Sequence, residues 1–524
     1  MTPRPRFRQY ILPWVAALGL ALGLFIGFYF GKKSPQTTKS YPTSAPSLSA
    51  IFALLPAYYV DSLSSDSLES FAIDGILSHL DPHTVYIPAH ELQAMNDALN
   101  GQFYGMGLVY YTWQDTLHIS HIIPGSPAAN VGLEPGDQLL RIENDWLTHP
   151  ASVDAILKKH LIRDKAIPLS MLIKHPDGKT ETMRILPELI ARSTLNAFTM
   201  LDATCGYIGI ETFSEPTATE FHNALIELKQ AGMKQLIIDL RGNPGGYMDA
   251  VAQIADELIG GKDTLFYTQY QQKREAIMAN SDGLFESGKV AVLIDEESAS
   301  ASEILAGIMQ DYDRGIVIGR PSFGKGLVQE QFDLPAKDAI RITTGRYYLP
   351  SGRSIQRNYK NIDRATYYES LPDTAQLTRT KPFYTKYQKR MVYGEQGIKP
   401  DYIISYPVRL QELPENWLYR KWFQSFYFHQ KKNLPHFSTL IQMLQEAEIP
   451  ESWLTQVAQQ AKQYPTQESS LYVPNAVYSR HMLLSEWAYT LFGPAGQIAF
   501  ARPHNPALEK AYQVLKQVAL GPSK

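Results

Sequence analysis

Cysteine is almost absent from this chain: its 524 residues include one, Cys205. A single thiol excludes a framework of intrachain disulfides and a cysteine-rich zinc site, because both need several cysteines. Cys205 opens the stretch "CGYIGIETF", whose alternating pattern is typical of a strand. We therefore expect this thiol to be a small buried hydrophobic residue and not a nucleophile.

A surplus of positive charge is also missing, since 49 Lys and Arg face 52 Asp and Glu, for a net charge of −3. Bulk electrostatics therefore give no reason to expect a nucleic-acid partner. "HELQA" at 90–94 lacks the second histidine of the zinc motif H-E-x-x-H. His118 and His121 lie three apart on a predicted strand and face opposite sides, which suits a shared metal poorly. The sequence implies no metal, nucleotide or other cofactor.

The glycine-rich stretch "GRPSFGKGLVQ", residues 319–329, holds Lys325 and comes close to two catalytic motifs without fitting either. A phosphate-binding P-loop needs a hydroxyl directly after its lysine to bind magnesium, and that position is Gly326. The motif S-x-x-K needs a helix that brings Ser322 one turn from Lys325, and Gly324 and Gly326 disfavour a helix. The lysine is therefore expected to serve a group elsewhere in the chain.

One long apolar run is present near the N-terminus, from Ile11 to Phe30, and it contains no charged residue. As a helix it is about 30 Å long, which is enough to cross a bilayer. Arg4, Arg6 and Arg8 precede it and favour a cytoplasmic N-terminus, with the rest of the chain outside the cytoplasm. A cleaved signal peptide is the alternative, but the run is long for one and no A-x-A site follows closely. We expect an uncleaved anchor.

Periodicity and composition divide the chain further. Helical spacing fills much of the segment before residue 100, strand alternation follows, and apolar strands then alternate with helices, which predicts an α/β core covered on both faces. Residues 357–395 are polar and Tyr-rich, and indicate an insertion or long loop. The expected domains are a cytoplasmic N-terminus (1–9), an anchor (10–31), a linker (32–49), a helical segment (50–99), a β-rich domain (100–187), the α/β core (188–405) and a helical C-terminal region (406–524).

Two turns of the predicted core are candidates for chemistry. "DEESASASEILAGIMQDY", 295–312, follows an apolar strand and opens a helix, and Ser300 with Glu303 matches the capping box S-x-x-E. A helix cap is thus one interpretation of Ser300. The other is a nucleophile, because free N–H groups at a helix start stabilise the anion formed when a serine attacks a carbonyl. "RGNPGGYMD", 241–249, is a second glycine-rich turn whose N–H groups would complete such an oxyanion hole.

A serine of this kind needs a base, and Lys325 is the candidate. An amine acts as a base only when it is neutral, which requires burial away from carboxylates to lower its pKa. Gln329 lies four residues further on, an even spacing that returns to the same strand face and would orient the amine.

The ordered set of motifs resembles the carboxyl-terminal processing peptidases, also called tail-specific proteases. "LDPHTVYI", "GYIGI", "IIDLRGNPGG", "SASASEI", "FGKGLVQ", "YYLPSGRSIQ" and "GIKPD" fall in that family's order over roughly residues 70–405. The resemblance implies that Ser300 is the nucleophile, Lys325 its general base and Gln329 the residue that holds the lysine. It further implies that the backbone N–H groups of Gly246 and Ala301 are the oxyanion donors, and that the core is of the crotonase-like ββα type.

Residues 100–187 resemble the PDZ domain that this family inserts ahead of its core. Such domains add a chain's C-terminus as an edge strand and bind its carboxylate with backbone N–H groups. The positions that match the carboxylate-binding loop are Tyr104, Gly105, Met106, Gly107 and Leu108. The apolar Leu108 and Val109 favour hydrophobic C-terminal residues as ligands.

The sequence thus predicts a serine endopeptidase with a Ser–Lys dyad, anchored in a bacterial inner membrane with its catalytic part periplasmic. Its expected partners are protein or peptide substrates bound by their C-termini, the membrane itself and further copies of the chain. The chain departs from the family where "DEE" replaces the usual Asn-x-Gly before "SASAS", which places Glu296 and Glu297 near the candidate nucleophile. The alternative is therefore a catalytically inactive PDZ scaffold or chaperone with a protease-like core.

Overall fold

The computed structural model describes residues 45–113, 116–147, 150–161, 167–280, 282–370, 381–404, 414–461 and 476–517. The predicted anchor between Ile11 and Phe30 lies outside these residues, as does most of the predicted linker. Over the part of the chain that is described, no helix is both long and apolar enough to cross a membrane. The described residues fall into two units, the first ending at Gly75 and the second beginning at Ile76.

The described helices are α1 (Pro46–Tyr58), α2 (Ser65–Leu77), α3 (Ala89–Leu99), α4 (Pro127–Asn130), α5 (Pro150–His160), α6 (Thr217–Gln230), α7 (Met248–Asp256), α8 (Ala301–Asp311), α9 (Arg364–Glu369), α10 (Pro414–Gln430), α11 (Leu440–Glu446), α12 (Glu451–Ala461), α13 (Ala476–Ala501) and α14 (Pro506–Gln517).

The described strands are β1 (Val85–Ile87), β2 (Gln102–Gly105), β3 (Leu108–Trp113), β4 (Thr116–Ile122), β5 (Gln138–Ile142), β6 (Asp145–Trp146), β7 (Leu169–Lys174), β8 (Thr180–Ile185), β9 (Glu188–Ala191), β10 (Leu195–Met200), β11 (Cys205–Ile210), β12 (Gln235–Asp239), β13 (Thr264–Tyr270), β14 (Arg274–Met278), β15 (Lys289–Ile294), β16 (Gly315–Gly319), β17 (Leu327–Asp333), β18 (Ala339–Tyr348), β19 (Pro382–Tyr384), β20 (Met391–Tyr393) and β21 (Tyr402–Ile403).

A six-stranded sheet in the order β10-β11-β12-β15-β16-β21 forms the centre of the second unit. Its strands from β11 onward are parallel, and β10 runs antiparallel to β11. Every residue of β11 is buried, including Cys205, and burial raises the pKa of that thiol to about 12. The sheet confirms the predicted α/β class, and Cys205 is a buried core residue as expected.

The two faces of this sheet are covered by different parts of the chain. Side chains of one face pack with α6, α7 and α8 in a single apolar cluster. Alternate residues point to the other face, where Ile237 and Leu293 pack against Leu508 and Ala511 of α14. The last described helix therefore completes the core of the sheet, a role that helical spacing in the sequence did not indicate.

A second, antiparallel sheet has the order β1-β18-β13-β14, with β17 also paired to β18. Its strand β17 carries Gln329 and begins two residues after Lys325. Strand β1, which lies ahead of the predicted PDZ domain, joins this sheet by pairing Val85 with Arg341 and Ile87 with Ala339. A segment early in the chain thus reaches the neighbourhood of the candidate site.

The β-rich insertion has a sheet and a core of its own. The order of the sheet is β3-β4-β5-β7-β8, with β6 paired to β5, so that β3 is an edge strand. The hairpin β7–β8 turns at Gly178, whose φ of +90° suits glycine, as the Asp177-Gly178 pair predicts. At the two ends of the insertion, β2 and β9 pair antiparallel and bring the chain back to the core.

The remaining segments pack onto these sheets. The polar stretch after residue 357 contains α9, with Tyr367 buried, and the hairpin β19–β20. Helices α10 to α13 form an aromatic-rich cluster around Trp487 and Phe423. The end of α10 contacts the insertion, because a Cβ added to Gly136 would lie 2.8 Å from Cγ of Phe428.

We predict that the C-terminal helix stabilises the core sheet. Leu508 is fully buried against that sheet, so Leu508→Ala is expected to lower the free energy of unfolding by about 2–5 kcal/mol. Ile441 of α11 is a matched control because it is 68% exposed, and Ile441→Ala is expected to change stability by less than about 0.5 kcal/mol. Denaturant unfolding of the purified variants measures both, and equal losses would contradict this packing role.

Candidate active site

Ser300 lies at the turn between β15 and α8, with φ at +54° and ψ at −113°. A non-glycine residue with positive φ costs about 1–3 kcal/mol and persists only where its surroundings impose it. Here the preceding turn is held by Asp295, whose Oδ1 accepts from the N–H groups of Gly242, Glu297 and Ser298. Ser300 is thus held in a strained conformation at the tip of a helix.

The flanking serines anchor the same turn to the neighbouring chain. The hydroxyl of Ser298 donates to the carbonyl of Leu240 at 2.8 Å, and that of Ser302 donates to the carbonyl of Asn243 at 2.9 Å. The N–H of Ala299 also donates to the Asn243 carbonyl at 3.1 Å. These bonds join the end of β12 to the start of α8.

The second glycine-rich turn lies against the first. A Cβ on Gly245 would lie 2.7 Å from Cβ of Ser300 and 2.9 Å from the nitrogen of Ala301. Gly246 has φ at +143°, and a Cβ there would lie 2.0 Å from the carbonyl oxygen of Phe213. Both positions therefore require glycine, because any side chain would force this turn away from Ser300.

The two candidate oxyanion donors come from these adjoining turns. Ala301 is the first residue of α8, and the first N–H groups of a helix have no partner within the helix. Gly246 and Phe213 form an isolated parallel β-bridge, whose hydrogen bonds involve the two neighbours of Gly246. The carbonyl of Gly245 accepts from the N–H of Phe213, and the N–H of Tyr247 donates to the carbonyl of Phe213. The N–H of Gly246 therefore points away from Phe213.

Lys325 lies in the irregular segment between β16 and β17, and its Nζ donates to Oε1 of Gln329 at 2.6 Å. The glycines on either side allow close packing. A Cβ on Gly324 would lie 3.1 Å from Cβ of Arg357, and a Cβ on Gly326 would lie 3.0 Å from the nitrogen of Gln356. The structure brings the lysine and the glutamine together. Among the described residues, Nζ of Lys325 donates to Gln329 and not to Oγ of Ser300.

The environment of Lys325 favours the neutral amine. Burial, aided by the positive charge of Arg341, lowers the pKa of Lys325 to about 8, while Glu303 and Asp81 act in the opposite direction. The condition of burial away from carboxylates is therefore not met, because two of them influence the lysine. Burial and Arg341 outweigh both.

Glu303 connects the two candidate catalytic residues. Its fully buried carboxylate accepts from the N–H of Ser300 at 2.9 Å and from the N–H of Lys325 at 2.8 Å through Oε2. Oε1 accepts from the N–H of Gly324 at 2.7 Å and from the hydroxyl of Ser322. Burial raises the pKa of Glu303 to about 7, although all four donors favour the charged form.

Glu303 has the sequence spacing of a helix cap, and no sequence signal marked Tyr347 as part of the site. The hydroxyl of Tyr347, which is buried, lies 3.2 Å from the carbonyl oxygen of Ser300 and also donates to the carbonyl of Lys325. The main chains of the serine and the lysine are thus linked through their N–H groups by Glu303 and through their carbonyls by Tyr347. Local spacing does not predict either link between the serine and the lysine, because Glu303 is 22 residues from Lys325 and Tyr347 is 47 residues from Ser300.

The carboxylates of "DEE" have partners of their own. Oε2 of Glu296 accepts from Nε of Arg320 at 2.6 Å. The charges that shift the pKa of Lys325 are Arg341, Glu303 and Asp81, and they do not include Glu296 or Glu297. The departure from the usual Asn-x-Gly therefore does not shift the pKa of Lys325.

The five residues of the predicted carboxylate-binding loop fall into two groups. Tyr104 and Gly105 belong to β2 and pair with Leu189 and Glu188 of β9. Met106 is buried and its carbonyl accepts from Ala128, while Gly107, with φ at +80°, packs on Ser126. Leu108 then begins the edge strand β3. The turn 106–108 thus lies where β3 begins.

Two protein-family models match parts of this chain. The model of peptidase family S41 matches residues 204–364, and the PDZ domain model matches residues 92–173. A probable CtpA-like serine protease of Staphylococcus aureus is 26% identical over 330 residues, which cover 62% of this chain and 66% of that protein. The alignment thus spans slightly less than two thirds of that relative.

Two further similarities involve enzymes whose names refer to carboxyl-terminal processing. A carboxy-terminal-processing protease of Bartonella bacilliformis is 29% identical over 313 residues, covering 58% of this chain and 71% of that protein. The solved photosystem II D1 C-terminal processing protease has 21% sequence identity and a TM-score of 0.36, covering 70% of this chain and 94% of that one.

We predict that the reactivity of Ser300 rises with pH through the pKa of Lys325. A lysine accepts the serine proton only when neutral, so the rate of reaction with a fluorophosphonate is expected to be half-maximal near pH 8 and to level about one pH unit higher. Below about pH 7 protonation of Glu303 steepens the fall. The measurement is the second-order labelling rate against pH.

Arg341→Gln provides the control for this assignment. Loss of the positive charge favours protonation of Lys325, so the midpoint of the pH profile is expected to move upward. A profile that is flat from pH 6 to 10 in the wild type, or unchanged in the variant, would exclude Lys325 as the titrating base.

Proposed function

We propose that the chain is a membrane-anchored, extracytoplasmic serine endopeptidase that cleaves proteins recognised by their C-terminal tails. The matches of residues 204–364 to the model of peptidase family S41 and of residues 92–173 to the PDZ domain model support this proposal. The observation that carries this proposal is the double link between Ser300 and Lys325. Glu303 accepts from the N–H groups of both residues, and the hydroxyl of Tyr347 donates to the carbonyl of Lys325 and lies 3.2 Å from the carbonyl oxygen of Ser300.

The proposed reaction is acyl transfer. Oγ of Ser300 attacks the carbonyl carbon of the scissile peptide bond while the neutral amine of Lys325 takes the hydroxyl proton. The resulting ammonium gives that proton to the leaving amine, and the C–N bond breaks to leave an acyl ester on Ser300. A water molecule then attacks the ester, with Lys325 again taking and returning a proton.

Gln329 and the two N–H donors have distinct roles in this scheme. Oε1 of Gln329 accepts one hydrogen of the amine, which leaves the lone pair of Nζ available to the serine. The N–H groups of Gly246 and Ala301 stabilise the negative oxygen of the tetrahedral intermediate, and removal of one such donor typically costs about 10²–10³ in kcat. The tightly packed turns at Gly245 and Ser300 support this assignment, because their N–H groups need little rearrangement to bind the negative oxygen of the intermediate.

We assign substrate capture to the open edge of β3. Among the described strands, β3 lies at the edge of its sheet next to β4, so an extended C-terminal segment fits beside it as an additional strand. Val153 and Leu157 of α5 share the apolar cluster that Leu108 packs against, which favours apolar side chains in the bound tail. The turn of Met106, Gly107 and Leu108 at the start of β3 is the proposed site for the terminal carboxylate.

The anchor and its orientation rest on the sequence. The uncharged run from Ile11 to Phe30 and the three arginines ahead of it support a single-pass span with the peptidase on the outer, periplasmic side of a bacterial inner membrane. An anchored peptidase of this kind acts on membrane or periplasmic proteins whose C-terminal tails reach it.

We predict that Ser300→Ala and Lys325→Ala each abolish cleavage. Loss of the nucleophile or of its base removes the acylation step, so kcat for a peptide with a free apolar C-terminus is expected to fall by at least about 10³. Ser302→Ala is the matched control, because Ser302 lies two residues away and its buried hydroxyl donates to the carbonyl of Asn243. Equal cleavage by all four proteins would exclude the Ser–Lys dyad.

A second prediction concerns the terminal carboxylate. If backbone N–H groups near Gly107 bind it, C-terminal amidation of the peptide is expected to raise KM or the dissociation constant by about tenfold or more. Calorimetric titration of the Ser300→Ala protein with the acid and amide forms separates binding from cleavage. Equal affinity for the two peptides would contradict tail recognition.

A further inference from the structure

The sequence "DPHT" forms a turn built on Asp81 beside the candidate active site. Oδ1 of Asp81 accepts from the N–H of His83 at 3.0 Å and of Thr84 at 3.1 Å, and Oδ2 accepts from the Thr84 hydroxyl at 2.7 Å. The hydroxyl of Thr343 in β18 also donates to Oδ1 at 2.9 Å. Asp81 therefore folds the turn on itself and attaches it to the sheet that carries Gln329.

The turn presents one carbonyl to the active site. Nε2 of Gln329 donates to the carbonyl oxygen of His83 at 2.5 Å, while Oε1 of the same amide accepts from Lys325 at 2.6 Å. A side-chain amide has a donor end and an acceptor end. Because the His83 carbonyl takes the donor end, the oxygen of Gln329 has to face the lysine.

The side chain of His83 holds the carbonyl in place. Its Nε2 lies 3.2 Å from the hydroxyl of Tyr367 and its Nδ1 lies 3.1 Å from the hydroxyl of Tyr368, both on α9. Burial, aided by the charge of Lys325, lowers the pKa of His83 to about 3. The imidazole is thus neutral at ordinary pH and is held by two tyrosines on opposite sides.

We propose that the Asp81 turn is a positioning element for proton transfer, which fixes the amide of Gln329 so that its oxygen, and not its NH₂ group, faces Lys325. This inference rests on the proposed function and identifies Asp81 as a positioning residue for that reaction. The turn lies outside both matched domains, at 92–173 and 204–364, so a segment ahead of the PDZ domain completes the active site.

The first test is the Asp81→Ala variant in steady-state hydrolysis of a peptide with a free apolar C-terminus. Release of the turn lets the Gln329 amide rotate, so kcat is expected to fall by about 10- to 100-fold while KM stays within about twofold. Asp202→Ala is the matched control. Oδ1 of Asp202 accepts in the same way from the N–H groups of Thr204 and Cys205, far from the lysine in sequence, and its loss is expected to leave kcat unchanged.

A double-mutant cycle separates positioning from general structural support. If Asp81 acts through the amide, Asp81→Ala in a Gln329→Ala background is expected to cause no further loss in kcat. Additive losses in the double variant would overturn the proposal, as would a full wild-type kcat in the folded Asp81→Ala protein. Thermal unfolding of each variant establishes that the rates refer to folded enzyme.

Asp81→Asn keeps the fold of the turn and removes only its charge. The charged groups acting on Lys325 are Arg341, Glu303, His83 when protonated and Asp81 itself, and only Asp81 changes. Loss of this negative charge disfavours the ammonium, so the acid limb of the kcat/KM profile is expected to move to lower pH while kcat stays near wild type. A kcat as low as that of Asp81→Ala would overturn the proposal, because an asparagine Oδ1 can make the same three bonds.

Failure of this inference is distinguishable from failure of the proposed function. Hydrolysis that is absent in the wild type, or equal in wild type and Ser300→Ala, would contradict the peptidase assignment itself. Hydrolysis that depends on Ser300 but is unchanged by Asp81→Ala would contradict the positioning role alone.

Discussion

A single buried carboxylate, that of Glu303, sets the geometry on which the candidate site depends. A buried charge is stable only when donors surround it, and Glu303 has four, from Ser300, Ser322, Gly324 and Lys325. Satisfying this one carboxylate therefore brings the tip of α8 and the lysine segment together. The hydroxyl of Tyr347 reinforces the same arrangement from the carbonyl side.

This arrangement creates an electrostatic conflict that the rest of the site resolves. The charge of Glu303 favours a protonated Lys325, whereas a general base has to be neutral. Burial and the guanidinium of Arg341 act against the carboxylate and hold the pKa of Lys325 at about 8. The carboxylate with a pKa of about 7 is ionised in the same range in which the amine is neutral, so geometry and basicity are both met above about pH 8.

The sequence allowed prediction of the parts whose signals are local. Strand and helix alternation predicted the α/β core. Lys325 and Gln329, which are four residues apart, are hydrogen-bonded, although Lys325 precedes strand β17 and does not share a strand face with Gln329. Partnerships between distant segments were not predictable in this way. His83, whose carbonyl accepts from Gln329, is 246 residues away from it in sequence. The apolar face of α14 does not indicate in the sequence which sheet it packs against. Glu303 has the spacing of an ordinary capping box, which conceals its bond to the lysine segment.

The most direct test of this account is kcat for peptide hydrolysis by Glu303→Gln. The amide is nearly isosteric but has one acceptor oxygen and an NH₂ group that meets the N–H donors of the site, so the serine and lysine segments are expected to separate. We expect a folded protein whose kcat is lower by at least about 10²-fold. A folded Glu303→Gln enzyme with wild-type kcat would contradict the claim that this carboxylate holds the site together.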